Sequence, residues 1–252
     1  MSGIAVVTGA SSGIGAEFCR VLDSRGLDEI WMVSRREDAM RSVSLDLSTP
    51  CRFFPLDLST AEGRDSLTSV LSEESPEVEY LVNCAGLGRF GDSFSMDVGL
   101  TRSMIEVNVS SVVEATSACI PLMRPGSAVI TLCSEAAYVP AYRLSVYSAS
   151  KAFVRSYLDS LRYEVASRGI SVLEVSPGWV KTPFIEGVKS SHHAPEAVFG
   201  HAVAPEDVVS RAMVDLGRGK KRSVCGLRTR ATIATAVHFP RLASWVWRRL
   251  WG

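Results

Sequence analysis

Residues 4–15 read IAVVTGASSGIG, and this run sets the expectation for the rest of the chain. Ile4 to Thr8 are apolar or β-branched and predict a short buried strand. The glycine-rich turn Gly9–Gly15 follows at once, and a helical pattern then continues towards Gly26. Glycines permit a tight turn and a close approach of the backbone to a ligand, and the free N–H groups at a helix start attract anions. Strand, turn and helix together predict a site for the pyrophosphate of a dinucleotide.

The second predicted strand, Ile30–Val33, ends in Ser34-Arg35-Arg36. An acidic residue at this position would bind the 2′-hydroxyl of the adenosine ribose and repel a 2′-phosphate. The sequence has no acid before Glu37 and offers two guanidinium groups, which suit a phosphate. Two solvated arginines at a helix start are the alternative, but cations there oppose the helix dipole. We therefore expect NADP(H) rather than NAD(H).

Further strand-like runs alternate with helical patterns along the chain. These runs are Arg52–Leu56, Tyr80–Val82, Ala128–Cys133, Ile170–Val175 and Ser223–Cys225. Two adjoining helical patterns, at about 96–107 and 109–123, lie between the fourth and fifth strands. The alternation is typical of an α/β fold with a doubly wound, Rossmann-type parallel sheet flanked by helices. No linker or repeat interrupts it, and we expect one domain over residues 1–252.

Polar and small residues follow the third and fourth predicted strands. Asp57 can accept a hydrogen bond from an adenine amino group or cap the next helix, for which Ser59 is an equally good cap. The small residues of Asn83–Gly86 let the backbone approach a ligand at the carboxyl edge of the sheet. Asn108 lies between the two adjoining helical patterns, either as a local kink or cap or as a polar group near an active site.

A hydroxyl, a phenol and an amine lie in close order near the fifth strand. Tyr147 and Lys151 are four residues apart in a helical pattern, so they share one helical face. A nearby ammonium lowers the pKa of a tyrosine, which then exchanges protons near neutral pH. Ser134 follows the strand, where its hydroxyl can meet the phenol. A half-buried tyrosine beside a solvated lysine is the plainer interpretation, and the dinucleotide turn upstream decides against it.

Composition and charge restrict the class of protein. Hydrophobic residues make up 46% of the 252 residues, and 27 Lys and Arg balance 27 Asp and Glu. This balance indicates no nucleic-acid partner, because phosphate binding along a duplex requires a basic excess. Six scattered cysteines without a CxxC pair indicate reduced thiols in a cytoplasmic protein. We expect no secretory signal and no membrane span, because the first strand begins at once and no apolar run is long enough.

Taken together and in order, these motifs resemble the short-chain dehydrogenase/reductase family from Ile4 to about Thr182. The resemblance rests on the glycine-rich turn, Asn83-x-Ala85-Gly86, Asn108, Ser134, Tyr147-x-x-x-Lys151 and Pro177-Gly178. Cys84 and Cys133 stand where family members often have asparagine and serine, and neither change removes a group that the chemistry needs. Ser12 stands where many NADP-dependent members carry a second basic residue.

The resemblance implies catalytic roles for four residues. Tyr147 would be the acid/base, Ser134 would hold and polarise the substrate oxygen, and Lys151 would bind the nicotinamide ribose and lower the pKa of the tyrosine. Asn108 would anchor a water in a proton relay behind the lysine. The reaction would be hydride transfer between nicotinamide C4 and a carbonyl carbon.

The resemblance also implies the residues that contact the cofactor. The glycine-rich turn would cradle the pyrophosphate, and Arg35 would bind the 2′-phosphate. Asp57 would contact adenine and Asn83 the adenosine side, whereas Val180 and Thr182 would bind the carboxamide. The full implied set is Thr8, Gly9, Ser11, Ser12, Gly13, Ile14, Gly15, Ser34, Arg35, Arg36, Asp57, Leu58, Asn83, Cys84, Ala85, Gly86, Tyr147, Lys151, Pro177, Gly178, Val180 and Thr182.

Three functions are compatible with this set. We expect an NADP(H)-dependent alcohol dehydrogenase or carbonyl reductase acting on a small secondary alcohol or ketone, of which a hydroxysteroid is one apolar example. Reduction of a 3-oxoacyl thioester is an alternative, and it predicts a basic patch near the pocket. A catalytically silent NADP(H)-sensing protein is another, but it has no reason to retain Ser134, Tyr147 and Lys151 together.

Residues 183–204 correspond to the family's variable substrate loop. Its apolar residues hint at an apolar substrate: Phe184, Ile185, Val188, Val198 and Phe199. Its histidines, His192, His193 and His201, lack the ligand spacing of a metal site, and we predict no metal.

The tail, residues 228–252, combines tryptophan with arginine. This composition suits, in first place, a subunit interface in a homodimer or homotetramer or a cover over the substrate site. In second place it suits a weak contact with a membrane surface.

Overall fold

Seven strands form the centre of the fold in this computed structural model, which describes residues 3–139, 141–189, 196–241, 243 and 245. The strands are β1 (Ile4–Thr8), β2 (Glu29–Val33), β3 (Cys51–Phe54), β4 (Val78–Asn83), β5 (Met123–Leu132), β6 (Ser171–Val175) and β7 (Arg222–Ser223). They pair in parallel in the order β3-β2-β1-β4-β5-β6-β7. The order reverses beside β1, so the carboxyl ends of β1 and β4 face a crevice that suits a ligand.

Helices cover both faces of the sheet. They are α1 (Gly13–Leu22), α2 (Glu37–Ser44), α3 (Ala61–Glu74), α4 (Val98–Ile105), α5 (Ser111–Cys119), α6 (Ser145–Glu164), α7 (Pro183–Lys189), α8 (Pro205–Gly217) and α9 (Leu227–His238). On one face, Phe18 of α1 and Val209 of α8 join a buried apolar cluster with strand residues. On the other, Leu67 of α3, Val112 of α5 and Leu158 of α6 join a second cluster. The predicted α/β doubly wound sheet is therefore confirmed.

The helix pair predicted around Asn108 is one helical run rather than two segments. A π-turn, Glu106–Ser110, joins α4 to α5, and α5 ends at Cys119 rather than near residue 123. The residues from Met123 onward belong to β5, which begins five residues before the predicted strand at Ala128. A π-turn inserts an extra residue into a helix, which turns Asn108 inward without ending the helix.

The start of α3 also differs from the prediction. Thr60, and neither Asp57 nor Ser59, is the N-cap: its side-chain oxygen accepts a hydrogen bond from the N–H of Gly63 at 3.1 Å. Asp57 instead accepts bonds from the N–H and the hydroxyl of Ser59, at 2.9 and 2.8 Å. The carboxylate therefore stabilises the turn before the helix.

The segment predicted as a substrate loop is largely ordered in helices. It contains α7 and a 3₁₀ turn at Glu196–His201, and Val203 pairs with Val180 in an isolated parallel bridge. His192 and His193 lie outside the described residues. Pro183 begins α7, where a proline is favourable.

Two features of the edge and tail complete the fold. The last strand is Arg222–Ser223 and not Ser223–Cys225, and the predicted tail begins inside α9. Among the described residues, no helix is long and apolar enough to cross a membrane. All six cysteines are free thiols, and Cys19, Cys119 and Cys133 are buried.

We predict that Thr60→Ala lowers the free energy of unfolding by about 1 kcal/mol, because α3 loses its cap. Thr60→Ser keeps the hydroxyl and is expected to retain most of the stability. Urea denaturation followed by circular dichroism measures both. A larger loss in Ser59→Ala than in Thr60→Ala would show that the cap is assigned to the wrong residue.

Candidate active site

Ser134 lies just beyond the carboxyl end of β5. Its backbone is extended, and its hydroxyl accepts a hydrogen bond from the N–H of Ala136 at 3.1 Å, which starts a 3₁₀ turn at Glu135–Ala137. The side chain is nearly buried, with 9% exposure. The turn thus fixes the hydroxyl at the sheet edge, facing the amino-terminal half of α6.

The first turns of α6 place Tyr147 and Lys151 beside Ser134. The phenol of Tyr147 is hydrogen-bonded to the Ser134 hydroxyl. Lys151 is only 3% exposed, and its Nζ donates to the carbonyl oxygen of Leu132 at 2.9 Å. The same Nζ lies 5.9 Å from the centre of the Tyr147 ring. The three predicted side chains therefore meet in one place, as the helical spacing requires.

Burial shifts the pKa values of both Tyr147 and Lys151. Burial raises the pKa of Tyr147 above its ordinary value, and the hydrogen bond from Ser134 only partly offsets this effect. Burial also lowers the pKa of Lys151. Desolvation disfavours the charged form of either group. Desolvation is thus the largest influence on the pKa of the phenol in this structure, and the expected lowering of that pKa by Lys151 stays a prediction.

Asn108 lies behind the cavity and does not line it. It is fully buried, its Oδ1 accepts from the N–H of Leu87 at 2.9 Å, and its Nδ2 donates to the carbonyl of Leu87 at 2.8 Å. Nδ2 also donates to the hydroxyl of Ser150 at 3.0 Å, which in turn donates to the carbonyl of Tyr147 at 2.7 Å. The asparagine thus ties the loop after β4 to α6. Its role in a water relay stays a prediction.

A cavity of about 730 Å³ runs along the carboxyl edge of the sheet. Ser134, Tyr147 and Lys151 line it, and so do twenty of the predicted cofactor residues: Gly9, Ser11, Ser12, Gly13, Ile14, Gly15, Ser34, Arg35, Arg36, Asp57, Leu58, Cys84, Ala85, Gly86, Tyr147, Lys151, Pro177, Gly178, Val180 and Thr182. The structure thus brings the glycine-rich turn and the three reactive side chains to the walls of one cavity.

Two predicted cofactor residues, Thr8 and Asn83, do not line the cavity. The Thr8 hydroxyl accepts from the N–H groups of Cys84 and Ala85, at 3.1 and 3.2 Å. Asn83 is buried, and its amide donates to the hydroxyls of Thr116 and Thr131, at 3.1 and 3.3 Å. Both side chains hold the strand ends in place, and their contact with a cofactor stays a prediction.

The glycine-rich turn has the shape that a pyrophosphate needs. Gly9 and Gly13 have φ angles of +71° and +57°, which favour glycine. A Cβ on Gly15 would lie 2.3 Å from the carbonyl oxygen of Gly9, so α1 packs against the turn only without a side chain there. Ser12, the N-cap of α1, makes no side-chain cap bond, which leaves the first N–H groups of the helix for an anion. The residues present therefore fit a dinucleotide cofactor.

Two arginines and an aspartate occupy the adenosine end of the cavity. Arg36 donates to the hydroxyls of Ser11 and Ser12, at 3.3 and 3.2 Å. Arg35 is exposed at the same strand end. Burial alone would raise the pKa of Asp57, but hydrogen bonds from Ser59 and the charge of Arg35 lower it. The carboxylate is thus ionised, and the charge of Arg35, the arginine that would face a 2′-phosphate, contributes to this shift.

The opposite end of the cavity is apolar and aromatic. Phe90, Leu144, Ile185, Val188 and Phe199 form a buried cluster against which Tyr147, Trp179 and Phe184 pack. The Trp179 and Phe199 rings meet edge to face at 4.7 Å, and the Tyr147 and Phe184 rings lie 5.8 Å apart. The apolar residues after Thr182 predicted an apolar substrate site, whereas the sequence pattern did not indicate that Phe90, Leu144 and Trp179 belong to it. The side chain of Val198 lies outside the described residues.

Glu135 is a cavity residue that the sequence analysis missed. It directly follows Ser134, lines the cavity, and has an Oε2 3.4 Å from the position that a Cβ on Gly178 would take. Burial raises the pKa of its carboxyl to about 7, and the charge of Arg228 opposes the shift. An acid beside a candidate catalytic serine was the available signal.

No group of three His, Cys, Asp or Glu residues in the described ranges is arranged to hold a metal ion.

Comparisons with known proteins agree with the fold and the motifs. A family model for short chain dehydrogenases matches residues 3–192. An uncharacterized oxidoreductase of Staphylococcus epidermidis is 31% identical over 186 residues, which cover 73% of this chain and 80% of that protein. A short-chain dehydrogenase from Sphingobium yanoikuyae in complex with NADPH superposes with a TM-score of 0.81 at 21% identity, covering 95% of this chain and 94% of that chain. One from Burkholderia phymatum in complex with NAD gives 0.80 at 20% identity, covering 96% and 95%.

The fold and the cavity define an oxidoreductase of the α/β class built around a nicotinamide cofactor site. The chain belongs to the short-chain dehydrogenase family. The two solved structures hold different cofactors, NADPH and NAD, so likeness to them does not choose between NADP(H) and NAD(H) for this chain.

We predict that Glu135→Gln stabilises the protein at pH 8 but not near pH 4. Between its ordinary pKa of 4.5 and its folded pKa of about 7, the folded state holds more protons than the unfolded state, so wild-type stability falls as pH rises through this window. The shift in pKa corresponds to up to about 3 kcal/mol in the free energy of unfolding between these two pH values, and the substitution removes this pH dependence. Thermal denaturation across this pH range, with the exposed Glu73→Gln as control, tests it; equal pH profiles for wild type and Glu135→Gln would contradict it.

Proposed function

We propose that the protein is an NADP(H)-dependent oxidoreductase that interconverts an apolar ketone and the corresponding secondary alcohol. One observation carries this proposal: Ser134, Tyr147 and Lys151 meet on the wall of a cavity that the glycine-rich turn also lines. The cofactor supplies the hydride chemistry, and the chain supplies binding, orientation and a proton.

The proton would come from Tyr147. Because its phenol is protonated and hydrogen-bonded to Ser134, the two hydroxyls can both address one substrate oxygen. Lys151 would bind the nicotinamide ribose while its bond to Leu132 keeps the helix in place. A protonated phenol can act as the general acid in carbonyl reduction, and the same group would accept the proton in the reverse reaction.

The substrate end supports an apolar ketone better than a carrier-bound thioester. The wall is built from aromatic and aliphatic side chains, which would bury an apolar substrate. A 3-oxoacyl thioester reductase predicts a basic patch there. Of the described residues that line this end, Arg89 is the single cation, and it packs against Gly187, with its Nη1 2.9 Å from the position of a Cβ.

The residues at the adenosine end of the cavity support NADP(H) as the cofactor. Two guanidinium groups lie at the end of β2, and the described lining residues offer no acid at that strand end to bind a 2′-hydroxyl. Arg36 is held against the turn by Ser11 and Ser12, so Arg35 is the residue left to meet the 2′-phosphate. A single domain over residues 1–252 is part of the same proposal.

We expect Tyr147→Phe to lower turnover of ketones by about 10²- to 10⁴-fold, because it removes the proton donor. NADPH affinity should stay nearly unchanged. Nicotinamide absorbance with a panel of steroids, aromatic ketones and acyl thioesters measures turnover, and Tyr163→Phe, exposed on the same helix, is the matched control. Tight NADPH binding by wild type without turnover of any carbonyl would favour a silent sensor instead.

We expect Arg35→Asp to weaken NADPH binding by about 10- to 100-fold while NADH binding changes little or improves, since one charged hydrogen bond to the 2′-phosphate is lost. Quenching of nicotinamide fluorescence on titration gives both dissociation constants. Arg168→Asp, an equal change of charge at an exposed residue far along the chain, should leave both constants unaltered. An unchanged NADPH constant in Arg35→Asp would place the phosphate elsewhere.

A further inference from the structure

The carboxyl-terminal segment is strongly basic, although the whole chain has no formal net charge. Residues 216–252 contain nine Lys and Arg and no Asp or Glu. The preceding 215 residues therefore hold 18 of the 27 basic residues and all 27 acidic ones. A basic segment on an acidic body is a distribution that directs a protein towards an anionic surface in one orientation.

Helix α9 presents an apolar face to solvent. Its inner face carries Ala236, which is 8% exposed and packs in a small cluster with Val139 and Ala243. On its outer face, Leu227 is 82% exposed and Val237 is 53% exposed, with exposed alanines between them. A surface helix ordinarily places polar residues on its solvent side. The outer face of α9 therefore has the composition of a contact surface.

The described residues after α9 continue the same surface. Phe239 and Trp245 are 63% and 56% exposed. Arg230 and Arg241 are also exposed, and neither lies within ion-pair distance of a carboxylate in the described part of the chain. By contrast, Arg222 pairs with Asp159 and Glu174 at the edge of the sheet. The cations beside the apolar face are thus the ones left for a partner.

A lipid bilayer with anionic headgroups matches both properties. Exposed tryptophan and phenylalanine suit the boundary between headgroups and acyl chains, and arginines beside them suit anionic headgroups. A second copy of the chain fits less well, because a two-fold contact would set the same unpaired cations against each other. A nucleic acid would use the cations but not the apolar side chains.

We propose that the α9 face, defined as Leu227, Arg230, Val237, Phe239, Arg241 and Trp245, docks the protein on an anionic lipid bilayer. The inner side of the same helix borders the cavity: the Thr229 hydroxyl lies 2.7 Å from the Cβ position of Gly178, which lines the cavity. Docking therefore brings the wall of the cavity at Gly178 close to the lipid. The further point that the substrate is an apolar compound dissolved in that lipid rests on the proposed function, whereas docking does not.

Co-sedimentation of the full chain with vesicles tests the docking. One set of vesicles contains phosphatidylcholine alone, and the other contains equal amounts of phosphatidylcholine and phosphatidylglycerol. We expect binding to the anionic vesicles to be at least about tenfold stronger and to weaken with salt, since each cation near an anionic surface contributes. Wild type that ignores anionic vesicles, or binds both sets equally, overturns the proposal.

Matched variants assign the binding to this face. Arg230→Glu with Arg241→Glu, and separately Leu227→Ser with Val237→Ser, should each weaken partition by about tenfold or more. The controls are Arg102→Glu with Arg168→Glu, which change the net charge equally elsewhere, and Leu45→Ser, which removes an apolar side chain that is 85% exposed. Controls that lose as much binding as the face variants would also refute the proposal.

Two further measurements keep the outcomes separate. Thermal denaturation shows whether each variant folds, and a face variant that unfolds is replaced by the single substitutions Arg241→Gln and Leu227→Ser. Sedimentation velocity without vesicles shows whether the face variants change the oligomeric state, a result that would assign the surface to a second copy and overturn lipid docking. NADPH affinity should be equal in all variants, so failure of docking and failure of the proposed function are seen independently.

Discussion

One buried hydrogen bond holds the candidate active site together, from Nζ of Lys151 to the carbonyl of Leu132. Lysine is almost never this deeply buried without a partner, and here the residue is only 3% exposed. Because Leu132 is the last residue of β5, the bond fixes the register of α6 against the carboxyl edge of the sheet. Tyr147 lies one turn before the lysine and Ser134 lies just past the strand, so the same bond brings phenol and hydroxyl together.

The π-turn extends this constraint to the neighbouring strand. Its carboxamide at Asn108 satisfies both backbone groups of Leu87 and reaches α6 through Ser150. Leaving a buried backbone group unpaired costs about 1–3 kcal/mol, so the loop after β4 cannot shift without loss. That loop includes Gly86, whose missing side chain keeps space beside Nζ of Lys151. Asn108, which is unfavourable in a helix by propensity alone, thus links the loop after β4 to α6 on two sides of the cavity.

Sequence predicted what is local or strictly ordered, and it missed what depends on packing. The strand, turn and helix at Gly9–Gly15 are contiguous, so their spacing alone fixes the cradle. The orientation of the Asn83 side chain depends on its partners, Thr116 of α5 and Thr131 of β5. Both partners lie far from Asn83 in the chain. The pKa of Tyr147 follows the same rule: spacing reveals a nearby cation, but only the fold shows that desolvation is the larger effect. Glu135 was not predicted because its surroundings are set by residues distant in sequence, such as Arg228 of α9, whose charge acts on its carboxyl.

Helix α9 packs behind the cavity wall on one side and faces the solvent on the other, and these two positions constrain each other. Its Arg228 acts electrostatically on the carboxyl of Glu135 inside the cavity, while its outer face exposes Leu227, Val237 and Arg230, the last with no carboxylate within ion-pair distance in the described part of the chain. An anionic surface attracts this basic segment and repels the net negative charge of residues 1–215, so the charge distribution favours contact through the basic segment. The charge distribution therefore favours the orientation in which α9, which packs behind the wall beside the candidate catalytic serine, faces the lipid.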